Sequence, residues 1–169
     1  GEKLPLAATI DEYAISVESL SKAYGIPGIR IGWLATQNKE LLEKFLAAKE
    51  QVCICNSILD EYIAAHVLKN KEKILPSIME SNRQKFAVVK EWISNESRLE
   101  WIEPKGGVVL FPKIKDEANI NIPKFYDTLN KMGTFVGPGH WFEMPDSFMR
   151  IGYAWMSIEK LRAALKTIS

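Results

Sequence analysis

The chain has 169 residues, 22 basic against 21 acidic groups for a formal net charge of +1, 47% hydrophobic residues and 10% aromatic. A chain of this size buries roughly two thirds of the surface its unfolded form exposes, so neither disulfides nor a structural metal is needed to make a core. Balanced charge excludes a one-signed field for nucleic acid or an anionic membrane, and no apolar run approaches the roughly 20 residues that span a bilayer. The opening Gly1-Glu2-Lys3-Leu4-Pro5 has neither a secretory nor a transit profile, which makes a cytoplasmic setting the expectation. Cys53 and Cys55 have no second cysteine pair to complete a zinc site and read as free thiols; no metal is expected.

In chain order, the run from Tyr13 to Leu20 is apolar and β-branched and predicts a strand. It ends in Ser21-Lys22-Ala23-Tyr24-Gly25-Ile26-Pro27-Gly28, where two glycines and a proline force an irregular loop, and a second strand is expected from Ile29 to Ala35. Asn38 can cap a helix carrying Leu41, Leu42, Phe45 and Ala48, and Ser57 with Asp60 has capping-box spacing ahead of a second. Ile74, Ile78, Phe86, Val89 and Ile93 predict a third, longer helix ending at Asn95-Glu96-Ser97. Beyond it, Leu99 to Ile102 and Val108 to Phe111 read as two strands joined by the Pro104-Lys105-Gly106-Gly107 turn. A helix is expected from Pro123 to Met132, a short strand over Thr134-Phe135-Val136, a last strand from Phe148 to Trp155, and a terminal helix capped by Ser157. The soft boundary inside the third helix gives two domains, 1–75 and 76–169, in an α/β arrangement with an α+β second part.

The chemistry concentrates in Ser19-Leu20-Ser21-Lys22-Ala23-Tyr24-Gly25-Ile26-Pro27-Gly28-Ile29-Arg30-Ile31-Gly32. A lysine at the carboxyl end of a strand, followed by a tight loop, projects an amine into the crevice where open α/β sheets bind ligands. Lysine supplies a primary amine for a Schiff base, and Arg30, eight residues on, supplies a planar fork suited to a phosphate dianion. The spacing is not that of a Walker loop, and taken alone it also suits an ordinary solvated lysine.

The complete stretch resembles the signature of fold-type I pyridoxal-phosphate enzymes, specifically the class I/II aminotransferases, whose Ser-x-Ser-Lys-x-x-Gly-x-x-Gly-x-Arg-x-Gly pattern is present at every fixed position from Ser19 to Gly32. By resemblance, Lys22 forms the Schiff base with pyridoxal 5'-phosphate and shuttles the substrate proton. Ser19 and Arg30 bind the cofactor phosphate, with Ser21 a weaker candidate. A second block, Gly137-Pro138-Gly139-His140-Trp141-Phe142 and then Phe148-Met149-Arg150-Ile151, is similar to the family's Pro-Gly-x-x-Phe turn and Arg-Ile strand. It implies that Arg150 pairs with the substrate α-carboxylate. Glu143 stands where the family usually has glycine. His66 and His140 read as packing or surface histidines, and the five tryptophans as core, with Trp141 a candidate pocket wall.

The resemblance implies the remnant of a fold-type I large-domain sheet plus an α+β small domain, from a longer homodimeric enzyme that moves an amino group between an α-amino acid and a 2-oxo acid. A lyase or decarboxylase using the same lysine, or a non-catalytic module docking on a missing half, are the alternatives. The segment alone is expected to be inactive, because the acid that pairs with the cofactor's ring nitrogen is not identifiable in it. Two strands taken from a mostly parallel sheet are also expected to present open edges.

Overall fold

Asn38, Ser57 and Ser157 behave as their sequence positions suggest: each turns its side-chain oxygen onto a backbone N–H three residues on, that of Leu41, Asp60 and Lys160. These caps fix the starts of three of the five α-helices in a computed structural model that describes residues 5–169. The amino-terminal Gly1-Glu2-Lys3-Leu4 lies outside the described residues. The chain divides into two compact units, Gly1–Ile78 and Met79–Ser169. None of the described helices is long and apolar enough to cross a membrane.

In the first unit, β1 (Ser16–Ser19) and β2 (Gly32–Ala35) pair with Ser19 opposite Gly32 and Ser16 opposite Ala35. The pair is antiparallel, whereas a mostly parallel sheet was expected; both strands are also shorter than the apolar runs that predicted them. The late start of β2 follows from the loop, which begins at Leu20 and returns only at Ile31, where the Leu20 N–H donates to the Ile31 carbonyl at 3.2 Å. Two helices follow, α1 (Lys39–Val52) and α2 (Ile58–Lys69), and α2 packs against the tight turn at Pro27–Ile29. Leu20 is fully buried, while β1 and β2 leave most of their side chains exposed.

The long helix α3 (Lys71–Ser94) runs past Pro76, and its second half carries Val88, Val89 and Ile93 into the core of the second unit. There, β3 (Leu99–Glu100) pairs antiparallel with β5 (Lys113–Ile114), and β4 (Val109–Leu110) pairs with β7 (Met149–Gly152), which also takes β6 (Gly137–Pro138) on its other side. The expected hairpin across Pro104-Lys105-Gly106-Gly107 therefore does not close on itself, and the strand expected at Thr134-Phe135-Val136 is displaced to Gly137–Pro138. Burial explains the exchange of partners: Leu99 opposes Ile114 and Leu110 opposes Ile151, pairs that put apolar side chains into one core. Helices α4 (Ile122–Lys131) and α5 (Ile158–Ile168) cover it with Leu129, Leu161, Leu165 and Ile168. Each such fully buried aliphatic side chain contributes about 1.5–3 kcal/mol.

Candidate functional site

The loop from Leu20 to Ile31 is pinned at its base, because the Ile26 N–H donates back to the Leu20 carbonyl at 3.2 Å and Gly25 N–H to Lys22 O at 3.3 Å. Gly25 sits at φ +68°, where glycine carries no Cβ penalty. Lys22 occupies the turn directly after buried Leu20 and is exposed. Arg30 has φ 51° and ψ 34°, a left-handed conformation costing a non-glycine residue about 1–2 kcal/mol. Its Nη1 donates to the Pro27 carbonyl at 2.9 Å, one bond from a group with five N–H donors.

Ser19, Ser21 and Arg30 line one cleft of about 760 Å3, floored by β1 and β2 and walled by Leu42, Phe45, Leu46 and Lys49 of α1. A Cβ at Gly32 would stand 2.7 Å from the Glu18 carbonyl and 3.2 Å from Ser19 Cβ, so the glycine lets the strand approach the serine. Two hydroxyls and a guanidinium with donors to spare suit a phosphate dianion. Lys22 itself is not among the residues lining this cleft. Lys49 carries no motif that marks it in the sequence, and it reaches the same cleft from α1. Trp33 lines it as well and is 37% exposed, not core.

In the second unit, Met149 and Ile151 of β7 point into the core, so the alternation of a strand turns Arg150 outward. Arg150 opposes Gly137 across the β6–β7 pair, and its guanidinium carbon lies 5.7 Å from the centre of the Phe142 ring. The turn before β7 is locked: the backbone N–H of His140 donates to Asp146 Oδ1 at 2.9 Å and the His140 Nδ1 lies 2.7 Å from the same oxygen. These bonds hold the Asp146 carboxyl below its ordinary range. Burial, with the Asp146 charge nearby, pushes the Tyr126 phenol up to about 12; its hydroxyl donates to the carbonyls of Asp146 and Phe148 at 3.0 and 2.8 Å. Glu143 takes φ 58°, the conformation a glycine there would adopt freely. His66 and His140 are exposed. Trp141 and Trp155 are exposed at 57% and 92%, so only Trp92 and Trp101 pack against the core.

The model of aminotransferase class I and II matches residues 2–168. The chain belongs to this family. Its fold is that of fold-type I enzymes, and the family's cofactor is pyridoxal phosphate. Capreomycidine synthase of Streptomyces vinaceus is 28% identical over 142 residues, 83% of this chain and 36% of the synthase. The HTH-type transcriptional regulator NorG of Staphylococcus aureus (strain N315) is 27% identical over 170 residues, 97% of this chain and 38% of the regulator. A pyridoxal-phosphate-dependent aminotransferase structure from Streptococcus suis 89-1591 superposes with a TM-score of 0.85 at 28% identity, over 94% of this chain and 41% of that one. The chain thus spans about two fifths of the length of these relatives. Among its described residues no cluster of His, Cys, Asp and Glu could hold a metal ion.

Proposed function

We propose that the protein carrying this chain transfers an amino group between an α-amino acid and a 2-oxo acid, working as a homodimer with pyridoxal phosphate as cofactor. The observation that carries the reading is the unbroken Ser19-to-Gly32 pattern, folded as a pinned turn that leaves Lys22 exposed three residues beyond the end of β1 and sets Ser19, Ser21 and Arg30 on one cleft. In this reading, the two serine hydroxyls and the Arg30 fork hold the cofactor phosphate. When bound, pyridoxal phosphate supplies an electron-withdrawing ring that stabilises negative charge developing at the substrate α-carbon. Lys22 carries a primary amine able to attach to the cofactor's aldehyde and, once displaced, to move the α-proton. Arg150 takes the α-carboxylate through a planar fork, which fixes the bond that faces the cofactor.

The test is spectral and kinetic. Lys22→Ala should remove the near-visible absorbance of lysine-linked cofactor and its shift on adding amino acids, and an unchanged spectrum would sink the assignment. Arg150→Ala should raise KM for the amino acid roughly 30-fold or more, the effect of truncating one partner of a desolvated charge pair. A second reading is a lyase, decarboxylase or ring-forming enzyme on the same lysine, and the likeness to a solved pyridoxal-phosphate-dependent cyclase, 25% identical, favours the ring-forming form. Conversion of the cofactor to its amine form by an amino acid supports transfer; release of ammonia or carbon dioxide supports the rival. A non-catalytic role, as the likeness to a regulator allows, predicts cofactor binding without turnover.

A further inference from the structure

The geometry points to Phe142 as a positioning residue for Arg150, held in place by the His140–Asp146 lock. This rests on the reading of Arg150 as carboxylate anchor and adds what sets the direction of its fork. Strand alternation sends Arg150 outward, where a long flexible side chain has many rotamers and nothing in the strand selects one. The selection comes from the facing ring: the guanidinium carbon lies 5.7 Å from the Phe142 centroid, within the range of a cation–π contact. That ring is itself fixed from behind by Phe111, which meets it edge-on at 5.5 Å and stacks on Phe148 at 5.4 Å.

The backbone beneath Phe142 is equally constrained. His140 closes on Asp146 through both its backbone N–H and its ring, Met144 N–H donates to Gly139 O at 3.1 Å, and a Cβ at Gly139 would stand 2.0 Å from the Pro145 carbonyl. Opposite Arg150, Gly137 is what makes room: a Cβ there would lie 3.2 Å from Phe142 Cε2 and 3.5 Å from Arg150 Cβ. The pairing Gly137 against Arg150 thus leaves a slot just wide enough for one aromatic edge. A guanidinium resting on that ring keeps its N–H edge free for a carboxylate while losing little further freedom on binding.

The experiment uses the cofactor-loaded protein and two readouts, the Kd of propionate by calorimetry and the split between KM and kcat for an amino acid. Phe142→Leu is expected to raise both Kd and KM about three- to thirty-fold, the range of a cation–π contact, with kcat little changed. Phe142→Tyr, which keeps the ring, should restore wild-type values, and a primary amine lacking the carboxylate should be handled equally by wild type and Phe142→Leu. Gly137→Ala, which crowds the ring without deleting it, should shift Kd in the same direction and serves if Phe142→Leu does not fold. The proposal is overturned if Phe142→Leu and Gly137→Ala bind propionate as wild type does, or if Phe142→Tyr is as impaired as Phe142→Leu. Arg150→Lys separates the two layers: unchanged propionate binding there removes the anchor reading itself, whereas a loss there with normal binding in Phe142→Leu removes only the positioning role.

Discussion

Two residues of the turn between β6 and β7 obey opposite backbone constraints. Gly139 has no room for a side chain, since its Cβ would meet the Pro145 carbonyl at 2.0 Å, so Gly139→Ala must move main chain and should destabilise the second unit by about 1–3 kcal/mol in urea titration. Glu143 holds φ 58° with a Cβ, at a penalty that Glu143→Gly relieves. The gain is expected to reach at most about 1 kcal/mol, because the glycine also adds freedom to the unfolded chain. A loss of stability on Glu143→Gly would mean that the carboxylate makes contacts worth more than the strain. Lys22 and Arg150 stand out in the sequence as candidates because a dense local pattern surrounds each of them. The Phe142 ring under Arg150 does not, since it depends on a glycine opposite the arginine across two strands.

At the scale of elements, Tyr126 ties α4 to the entrance of β7 with one hydroxyl on two carbonyls. Tyr126→Phe leaves both acceptors without this partner and should cost about 1–3 kcal/mol. The pH dependence has a definite sign. Burial raises the folded phenol from its ordinary 10.0 to about 12, so the stabilisation is complete below pH 10 and is lost as pH rises toward 12, where the folded phenol also ionises. Burial also raises the Tyr153 phenol, so absorbance titration should show more than one late-ionising tyrosine, of which one disappears in Tyr126→Phe. Asp146 acts in the opposite direction: its carboxyl is held below the ordinary 3.8, so its contribution is present above that pH and fades as pH falls through the lowered value. Helices were the readable elements, since Asn38, Ser57 and Ser157 state their caps within four residues of sequence. Strand partners were not readable. The glycine turn at 104–107 is a strong local hairpin signal, yet it loses to distant apolar pairings, Leu99 with Ile114 and Leu110 with Ile151.

For the molecule as a whole, the two units differ in how much they bury. The core cluster belongs to the second unit, where Val89 and Met149 are fully buried and Leu161 and Leu165 nearly so. In the first, the buried hydrophobic residues among those described are Ala8, Leu20 and Ala64, while Val17, Val52, Ile54, Ile58 and Tyr62 are 74–88% exposed. Area removed from water is what offsets chain entropy, so the unit with the smaller core opens at lower free energy. In the 169-residue chain on its own, amides around Val89, Ile93, Met149 and Leu161 should exchange with solvent slowest. Those of α1 and α2 should exchange at least about tenfold faster, a difference of 1.4 kcal/mol or more in opening free energy. The exposed apolar surface of the first unit should also bind a hydrophobic dye, and the signal should fall on truncation to residues 79–169. Equal protection across both units would show that α1 and α2 are stabilised by something other than their own buried area. It would also mean that the cleft carrying Ser19, Ser21 and Arg30 is rigid before any ligand reaches it.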